Sequence, residues 1–228
     1  MNLDEILAEA TGPSIPQSTL DLQELSRVWV AERVAPELLP WPETLMERVL
    51  AGIRRQVEIV EEQTGDMDSK TNFKLIVIQT ELERWKFLVR SLLRARIAKI
   101  DAHPHHILFT ISPTLASQSS STSYNPDLLS PAESNYLHTH TALLSSHYSS
   151  SFLSTFPSAL QSLDDTSGGI SMISAPDLDT AVFVRCLEDC TVERTEGGES
   201  LILRRGDVWV VRWRGVKLKV ERGLCELI

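Results

Sequence analysis

Apolar residues recur at helical spacing through much of the first hundred residues. From Met46 to Val60 they fall every third or fourth position, which predicts a helix that begins after Pro42 and ends near Gly65. A shorter pattern at residues 20–38 predicts an earlier helix. This part of the chain is therefore predicted to be helical.

The longest apolar pattern extends from about Ser69 to Asp101 and has two rows. The first row steps by alternating threes and fours through Leu75, Ile78, Leu82, Trp85, Val89 and Leu92. A second, partly apolar row comprises Phe73, Val77, Thr80, Phe87 and Ser91. One small partner on one side cannot cover two rows, so we expect this helix to lie inside a bundle or inside an assembly with other chains.

The helical pattern stops at Pro104 and resumes after residue 129. The Ser-rich insert at about 112–126 has few large apolar groups, and we expect it to be mobile because burial cannot offset its ordering entropy. Ser130 then precedes a proline and stands three residues before Glu133, which is the pattern of a capping box. This helix is predicted to continue to about Phe156.

Short apolar runs of the β type occupy the C-terminal part of the chain. The runs lie at 181–184, 201–203, 208–211 and 216–220, with glycine-containing turns between them. Lys217 and Lys219 alternate with apolar residues, as expected on the solvent-exposed face of a half-buried strand. The last sixty residues or so therefore predict a small β domain.

These elements predict a mainly α protein with a small β domain, in which a bundle-like helical domain comes first. The predicted divisions are a flexible tail at 1–19, the helical domain at 20–157, a linker at 158–180 and the β-rich domain at 181–228.

Charge and composition restrict the function. The 228 residues carry a net charge of −9, which disfavours a protein whose main task is to bind nucleic-acid phosphates. The basic residues of helix 69–101 and of segment 204–222 leave a nucleic-acid-binding module as the alternative function. The N-terminus lacks the features of a signal peptide and no apolar run is long enough for a membrane span, so we expect a soluble intracellular protein.

The sequence contains no recognisable catalytic motif. It lacks the glycine-rich phosphate loops, the zinc-hydrolase motif and the nucleophile elbow, and we assign no catalytic or cofactor-binding residue and no cofactor. Histidines at 103, 105, 106, 138 and 140 are interpreted as surface or helix-end residues rather than metal ligands. An enzyme of an unrecognised kind is the remaining alternative.

Two cysteines stand four positions apart, on or next to a predicted strand. Cys186 and Cys190 are able to share a face there, but zinc pairs more often have two intervening residues, and no second pair accompanies these. Buried reduced thiols are the favoured interpretation, and no metal site is predicted. An odd total of three cysteines also suits a reducing compartment.

Long segments of the chain resemble the GINS subunit of the Sld-five type (GINS subunit four), as found in fungi. The resemblance covers nearly the whole chain in order. Its segments are 38–41 (LLPW), 61–100, 129–133 (LSPAE), 144–153, 163–190 and 203–228. The Ser-rich insert is where the chain departs most from the family pattern.

This resemblance implies a fold and a biological role. GINS assembles four related chains, each with a helical A domain and a β-rich B domain, and the A domain comes first in this type. The resemblance implies a non-catalytic scaffold that binds three sibling subunits and, with Cdc forty-five and the MCM ring, forms the nuclear replicative CMG helicase. It implies DNA contact that is at most indirect or weak.

The resemblance also implies sites of contact. The first row of helix 69–101, from Leu75 to Leu92, is expected to form the helical subunit interface. The B-domain interface is expected at Val208, Val210, Trp213, Leu227 and Ile228. At the N-terminus, Asp4, Glu5, Ile6 and Leu7 resemble the short motif by which this subunit type engages a trimeric replisome hub of the Ctf-four type.

Overall fold

A computed structural model describes residues 16–63, 69–111, 126–161, 173–193 and 200–228. Within these ranges the α-helices are α1 (Gln17–Val34), α2 (Glu43–Gln63), α3 (Ser69–Ala102), α4 (Pro104–Ile111), α5 (Pro131–Ser151) and α6 (Trp213–Glu221). The strands are β1 (Ala181–Cys186), β2 (Cys190–Glu193), β3 (Ser200–Leu203), β4 (Val208–Arg212) and β5 (Cys225–Leu227). The predicted fold class, mainly helical with a small β region, is confirmed.

The helix termini follow local sequence signals. Helix α1 ends at Val34, shortly before Pro36, because a residue that precedes proline is forced out of the helical region. The capping box of α5 is confirmed: the Glu133 backbone N–H donates to Ser130 Oγ (3.2 Å), and the Ser130 backbone N–H donates to Glu133 Oε2 (2.9 Å). Helix α5 ends at Ser151, earlier than predicted, and a 3-10 turn at Leu153–Thr155 follows.

Two local predictions were wrong. No helix was predicted directly after Pro104, yet α4 begins there, since a proline suits the first helical position. The run 216–220 is not a strand but part of α6, in which Trp213 and Val216 are fully buried and Val220 packs against the same core. A five-residue run of alternating residues is too short to distinguish a period of two from a period near four.

The strands form two small antiparallel sheets. In the three-stranded sheet β1 is central, between β4 and β5, and Phe183 lies opposite Val210. The β1–β5 register pairs Val184 with Leu227. Strands β2 and β3 pair separately, so the described sheets contain five strands in total.

The chain divides into two compact units. The first unit comprises Met1–Trp29 and Pro42–Ser91, and the second comprises Val30–Trp41 and Leu92–Ile228. In the first unit, buried residues are supplied by α1, α2 and α3, and Arg48 forms ion pairs with Asp21 (3.1 Å) and Glu24 (3.0 Å).

The second unit contains the sheets and two clusters of buried side chains. The larger cluster joins both sheets and α6 to Ala35. The smaller cluster comprises Ile100, Ile107, Leu128 and Leu137. The domain limits expected from the sequence, at 157 and 180, stay a prediction.

None of the helices in the described ranges combines the length and the apolarity needed to cross a lipid bilayer.

Candidate partner-binding surfaces

A buried arginine organises the helical part of the second unit. Arg96 is fully buried, and Nε donates to Glu133 Oε1 (2.8 Å). One terminal nitrogen donates to Glu32 Oε2 (3.0 Å) and to the Leu39 carbonyl (2.8 Å). The other donates to the Leu128 carbonyl (2.8 Å) and to Glu133 Oε2 (3.1 Å). All five N–H groups of the guanidinium thus have acceptors.

Two further residues complete this cluster. The Trp41 ring lies against the guanidinium, with its centroid 5.1 Å from the Arg96 carbon. Lys99 donates to Glu32 Oε1 (2.6 Å) and to the Glu37 carbonyl (2.7 Å). We call Arg96, Lys99, Glu32 and Glu133 the buried ion cluster. It fixes α3, α5, the last turn of α1 and the segment after α1 to one another within the second unit.

The sequence contained a signal for this cluster. Continuing the three-and-four step of the first row beyond Leu92 leads to Arg96, so an arginine occupies a position where the pattern predicts an apolar residue. A charged residue on an apolar row requires buried partners of opposite charge.

The first row of α3, which we call the inner helix row, lies mostly inside the chain. Leu75, Leu82, Val89 and Leu92 are buried. Ile78 and Trp85 are half-buried and line a cavity of about 240 Å³ in the first unit, together with Asp21 and Arg48. The four buried members are therefore covered by this chain's own side chains and offer little surface to a neighbour.

The opposite side of α3 is apolar and exposed. We call Phe73, Ile76, Val77 and Phe87 the outer helix row. At 100° per residue these side chains project roughly opposite to the inner helix row. Phe73 is 70% exposed and Ile76 58%. Phe87 is partly covered by Trp29, which it meets edge-on at a centroid distance of 6.3 Å.

The outer face of the three-stranded sheet is a second exposed apolar surface. Phe183 on β1 lies opposite Val210 on β4, and its carbonyl accepts from the Ile228 backbone N–H (3.1 Å). These three residues form a row across the sheet, and Val208 lies two residues along the same face. All four are at least 44% exposed. We call Phe183, Val208, Val210 and Ile228 the sheet patch.

Charged residues border the sheet patch. Arg185 lies between Val208 on β4 and Glu226 on β5 in the register of the sheet. An apolar centre with a charged border is typical of a surface that binds another protein.

Two residues that were predicted at the B-domain interface lie in the interior of the chain instead. Trp213 is fully buried at the start of α6, and its Nε1–H donates to Glu37 Oε2 (3.1 Å). Leu227 is buried on the inner face of the sheet, because alternation along β5 gives it the opposite side from Ile228. Both residues belong to this chain's core, where a neighbouring chain cannot reach them.

Several basic residues that favoured nucleic-acid binding are engaged with carboxylates. Arg96 and Lys99 belong to the buried ion cluster. Lys217 forms an ion pair with Glu37 (2.6 Å), and Arg214 lies 3.8 Å from Asp179. Cations that are buried or neutralised in this way contribute little to phosphate binding, so the geometry does not favour the nucleic-acid-binding alternative.

The histidines are dispersed. His103 Nδ1 lies 3.1 Å from the Ser174 carbonyl oxygen, and His140 stacks on Tyr136. Burial lowers the pKa of His106, which favours its neutral form. In the part of the chain that the structure describes, no histidine joins a group of potential metal ligands.

The cysteines are buried, as predicted, and the third joins the other two. Cys186, Cys190 and Cys225 place their sulfur atoms within 4.8 Å of one another. No spacing in the sequence connects Cys225 with the other two cysteines, because β5 reaches β1 only through the fold of the sheet.

The N-terminal residues Asp4, Glu5, Ile6 and Leu7 lie outside the described residues, as do most of the Ser-rich insert and part of the predicted linker.

The sequence matches two family models. The model described as "GINS complex protein helical bundle domain" matches residues 52–152. The model described as "DNA replication complex GINS protein SLD5 C-terminus" matches residues 176–228. Together the two matches cover α3, α4 and α5 completely, as well as all the strands of both sheets.

Similar proteins extend along the whole chain. A protein of Chaetomium globosum named "DNA replication complex GINS protein SLD5" is 52% identical over 236 aligned positions, covering 100% of both chains. The protein of that name in Yarrowia lipolytica is 36% identical over 92% of this chain and 77% of its own. The Schizosaccharomyces pombe protein of that name is 35% identical, covering 99% and 98%.

Proposed function

We propose, from the premise that this chain belongs to the SLD5 family of GINS proteins, that it is a non-catalytic structural subunit of a four-chain GINS complex. The family places it in a complex that acts in DNA replication, with other GINS subunits as its partners. The observation that carries the proposed structural role is the pair of exposed apolar surfaces, the outer helix row and the sheet patch. Exposed apolar surface of this extent is typical of proteins that assemble with others.

The outer helix row is proposed to contact a helix of a sibling subunit. The inner helix row already fills this chain's interior, so the second apolar side of α3 is the side left for a neighbour. Phe73, Ile76, Val77 and Phe87 recur at the spacing with which helices pack against one another. This assignment replaces the inner helix row, expected from the sequence, as the helical interface.

The sheet patch is proposed to contact a second sibling surface. Three of its members, Val208, Val210 and Ile228, were expected at the B-domain interface, and Phe183 joins them through the strand register. A large aromatic ring at the centre of such a patch is a strong candidate for the residue that contributes most to binding.

The N-terminal tail is proposed to bind a different partner. Asp4, Glu5, Ile6 and Leu7 combine acidic and apolar residues at four consecutive positions, which suits capture of a short segment in a groove of the partner. The proposed partner is a trimeric replisome hub of the Ctf-four type. Deleting residues 1–10 should leave the GINS complex assembled and weaken its binding to the hub, as measured by fluorescence anisotropy. Unchanged hub affinity would remove this motif from the proposal.

Within the replisome, the assembled GINS complex is proposed to join Cdc forty-five and the MCM ring in the CMG helicase. The chain would then act in the nucleus as a scaffold, and ATP hydrolysis would belong to the MCM subunits. The ion-paired state of Arg96, Lys99 and Lys217 supports a scaffold over a DNA-binding module.

Co-expression with the three sibling subunits tests the proposed surfaces. We expect Phe73→Ser to weaken assembly and Val210→Asp to abolish it, since the second change places a charge at the centre of an apolar interface. Assembly is measured as the yield of four-chain complex recovered through a tag on a sibling. Ile202→Asp is the matched control, because Ile202 is an exposed strand residue outside the sheet patch.

Two outcomes would contradict the proposal. Full complex yield from both variants would exclude these surfaces as subunit interfaces. Equal loss of assembly in the Ile202→Asp control would show that the effect is not specific to the sheet patch. Circular dichroism of each purified variant chain tests whether a loss of assembly reflects unfolding of that chain.

A further inference from the structure

Three buried thiols converge in the second unit. The Cys190 and Cys225 sulfur atoms are 3.6 Å apart, and all three pairs of sulfur atoms, including those with Cys186, lie within 4.8 Å. Each cysteine is at most 8% exposed. No disulfide joins any of them.

Strand register brings these residues together. Cys186 ends β1 and lies directly opposite Cys225 on β5. Cys190 opens β2 after a turn of three residues. All three side chains belong to the larger buried cluster of the second unit, so they face the same interior.

An acidic residue lies opposite Cys186 in the register of the sheet. The Cys186 backbone N–H donates to the Asp207 carbonyl (3.0 Å), and the β1–β4 register continues from the pair Arg185–Val208 to Cys186 and Asp207. Opposed residues of an antiparallel pair direct their side chains to the same face of a sheet. Asp207 is half-buried, its Oδ2 accepts from the Arg204 backbone N–H (3.4 Å), and its carboxylate lies outside the group of atoms within 4.8 Å of one another that the three sulfur atoms form.

We propose that Cys186, Cys190 and Cys225 bind one Zn²⁺ ion, and that the Asp207 side chain turns away from the Arg204 backbone to become the fourth ligand. Zinc in structural sites is tetrahedral, with Zn–S bonds of about 2.3 Å, which separates neighbouring sulfur atoms by about 3.8 Å. The observed sulfur–sulfur separations, 3.6 Å for Cys190 and Cys225 and at most 4.8 Å for any pair, are close to this value, so the three sulfur atoms are already grouped as a tetrahedral zinc site requires.

The proposed ligand set selects zinc over copper(I). Three thiolates and a carboxylate oxygen suit Zn²⁺, whereas Cu⁺ prefers sulfur ligands alone. On binding, three S–H bonds release their protons to solvent, three Zn–S bonds form, and no electron is transferred.

Zinc at this position would join three separate segments. The end of β1, the start of β2 and strand β5 would share one ion, which limits the separation of strands that are only three to six residues long. Small β structures gain much of their stability from such cross-links. The site is independent of the surfaces proposed for GINS assembly.

Cobalt substitution tests the site in the full-length chain. The chain is stripped of metal with a chelator under a non-thiol reductant and titrated with Co²⁺, then with Zn²⁺ against a chromophoric competitor. We expect one equivalent to bind with a sulfur-to-cobalt charge-transfer band and tetrahedral d–d bands, and Zn²⁺ to displace the Co²⁺. Cys225→Ala should abolish the charge-transfer signature of a three-sulfur site.

The carboxylate has its own test. Asp207→Asn should keep the charge-transfer band and weaken zinc binding by about 10- to 100-fold. Glu188→Gln is the matched control, because Glu188 is an exposed acidic residue between Cys186 and Cys190, and it should bind zinc as the unmodified chain does.

Each remaining outcome overturns the proposal. Cobalt bound without a charge-transfer band would place the metal on histidines or carboxylates instead. Tight binding of Cu⁺ with no Zn²⁺ binding would exclude the proposed ligand set. If Cys225→Ala fails to fold, the unmodified chain decides: a zinc-dependent rise in its melting temperature together with the cobalt spectrum supports the site, and the absence of either excludes it.

Discussion

Arg96 and Phe73 lie on the same helix, α3, and their burial is the reverse of what their polarity predicts. The arginine is fully buried, whereas the phenylalanine is 70% exposed. Arg96 is tolerated inside because every N–H of its guanidinium has an acceptor, and because the two carboxylates beside it balance the combined charge of Arg96 and Lys99. Phe73 is tolerated outside only at the cost of exposed apolar surface, which a partner chain is proposed to cover.

The contrast separates two tasks of one helix. The buried ion cluster determines how segments of this chain pack, because its geometry requires Glu32, Glu133 and two backbone carbonyls at fixed positions. The outer helix row takes no part in that packing, and its exposed side chains are proposed to contact a sibling subunit. Mutations in the two places should therefore affect different measurements.

Replacing Arg96 should have the largest effect on stability. Arg96→Met leaves Glu32 and Glu133 buried without their main cation and leaves two carbonyls without a donor, so we expect a loss of about 3–5 kcal/mol in the free energy of unfolding. Denaturant unfolding of the full-length chain measures this loss in the free energy of unfolding. The control is Arg90→Met, an exposed arginine on the same helix, with an expected change within about 0.5 kcal/mol. A loss below that of an ordinary surface mutation would contradict the role assigned to the cluster.

The two rows of α3 can be compared directly. Leu82→Ala on the inner helix row should cost about 2–5 kcal/mol, because it leaves a cavity beside the one that Leu82 already lines. Phe73→Ala on the outer helix row should change the stability of the isolated chain by about 0.5 kcal/mol or less. Equal losses in the two variants would show that the assignment of the rows is wrong.

Local signals were sufficient for much of the fold. The capping box at Ser130 and Glu133 specified the start of α5, because its two hydrogen bonds join residues three apart. The long repeat of α3 likewise specified a helix from Ser69, within one residue of its observed end. In α6 the run around Lys217 and Lys219 was too short, and tertiary packing of Trp213 and Val216 decided the helix.

Features that depend on distant segments could not be predicted. The partners of Arg96 lie 37 and 64 residues away along the chain, and no spacing rule connects them. Cys225 meets Cys190 across 35 residues through the register of β5 on β1. For the same reason Trp213 and Leu227 were predicted at the B-domain interface although both are buried. Only the fold shows which face of α6 and of β5 is buried.

Lys99 is the second cation of the buried ion cluster. It lies one helical turn from Arg96 and is less completely paired, so we expect it to contribute less to stability. Burial lowers its pKa below the ordinary 10.5 in spite of Glu32, so the ion pair does not fully offset the cost of desolvation. Lys99→Met leaves Glu32 bound to Arg96, and we expect a loss of about 1 kcal/mol or less in the free energy of unfolding. A loss as large as that of Arg96→Met would make the two cations equivalent.

The pH dependence of the free energy of unfolding provides a second way to compare the unmodified chain with Lys99→Met. Between the lowered pKa of Lys99 and 10.5, the unfolded chain holds a proton that the folded chain has released, so the folded chain gains stability as pH rises through this interval. Lys99→Met lacks this contribution, and the advantage of the unmodified chain over the variant should therefore grow from neutral pH toward pH 10.5. Lys74→Met, at an exposed position of α3, serves as the control for other groups that titrate in the same range. A stability advantage that shrinks as pH rises would show instead that Glu32 stabilises the Lys99 ammonium by more than burial destabilises it, and the ion pair would then fully offset the cost of desolvation.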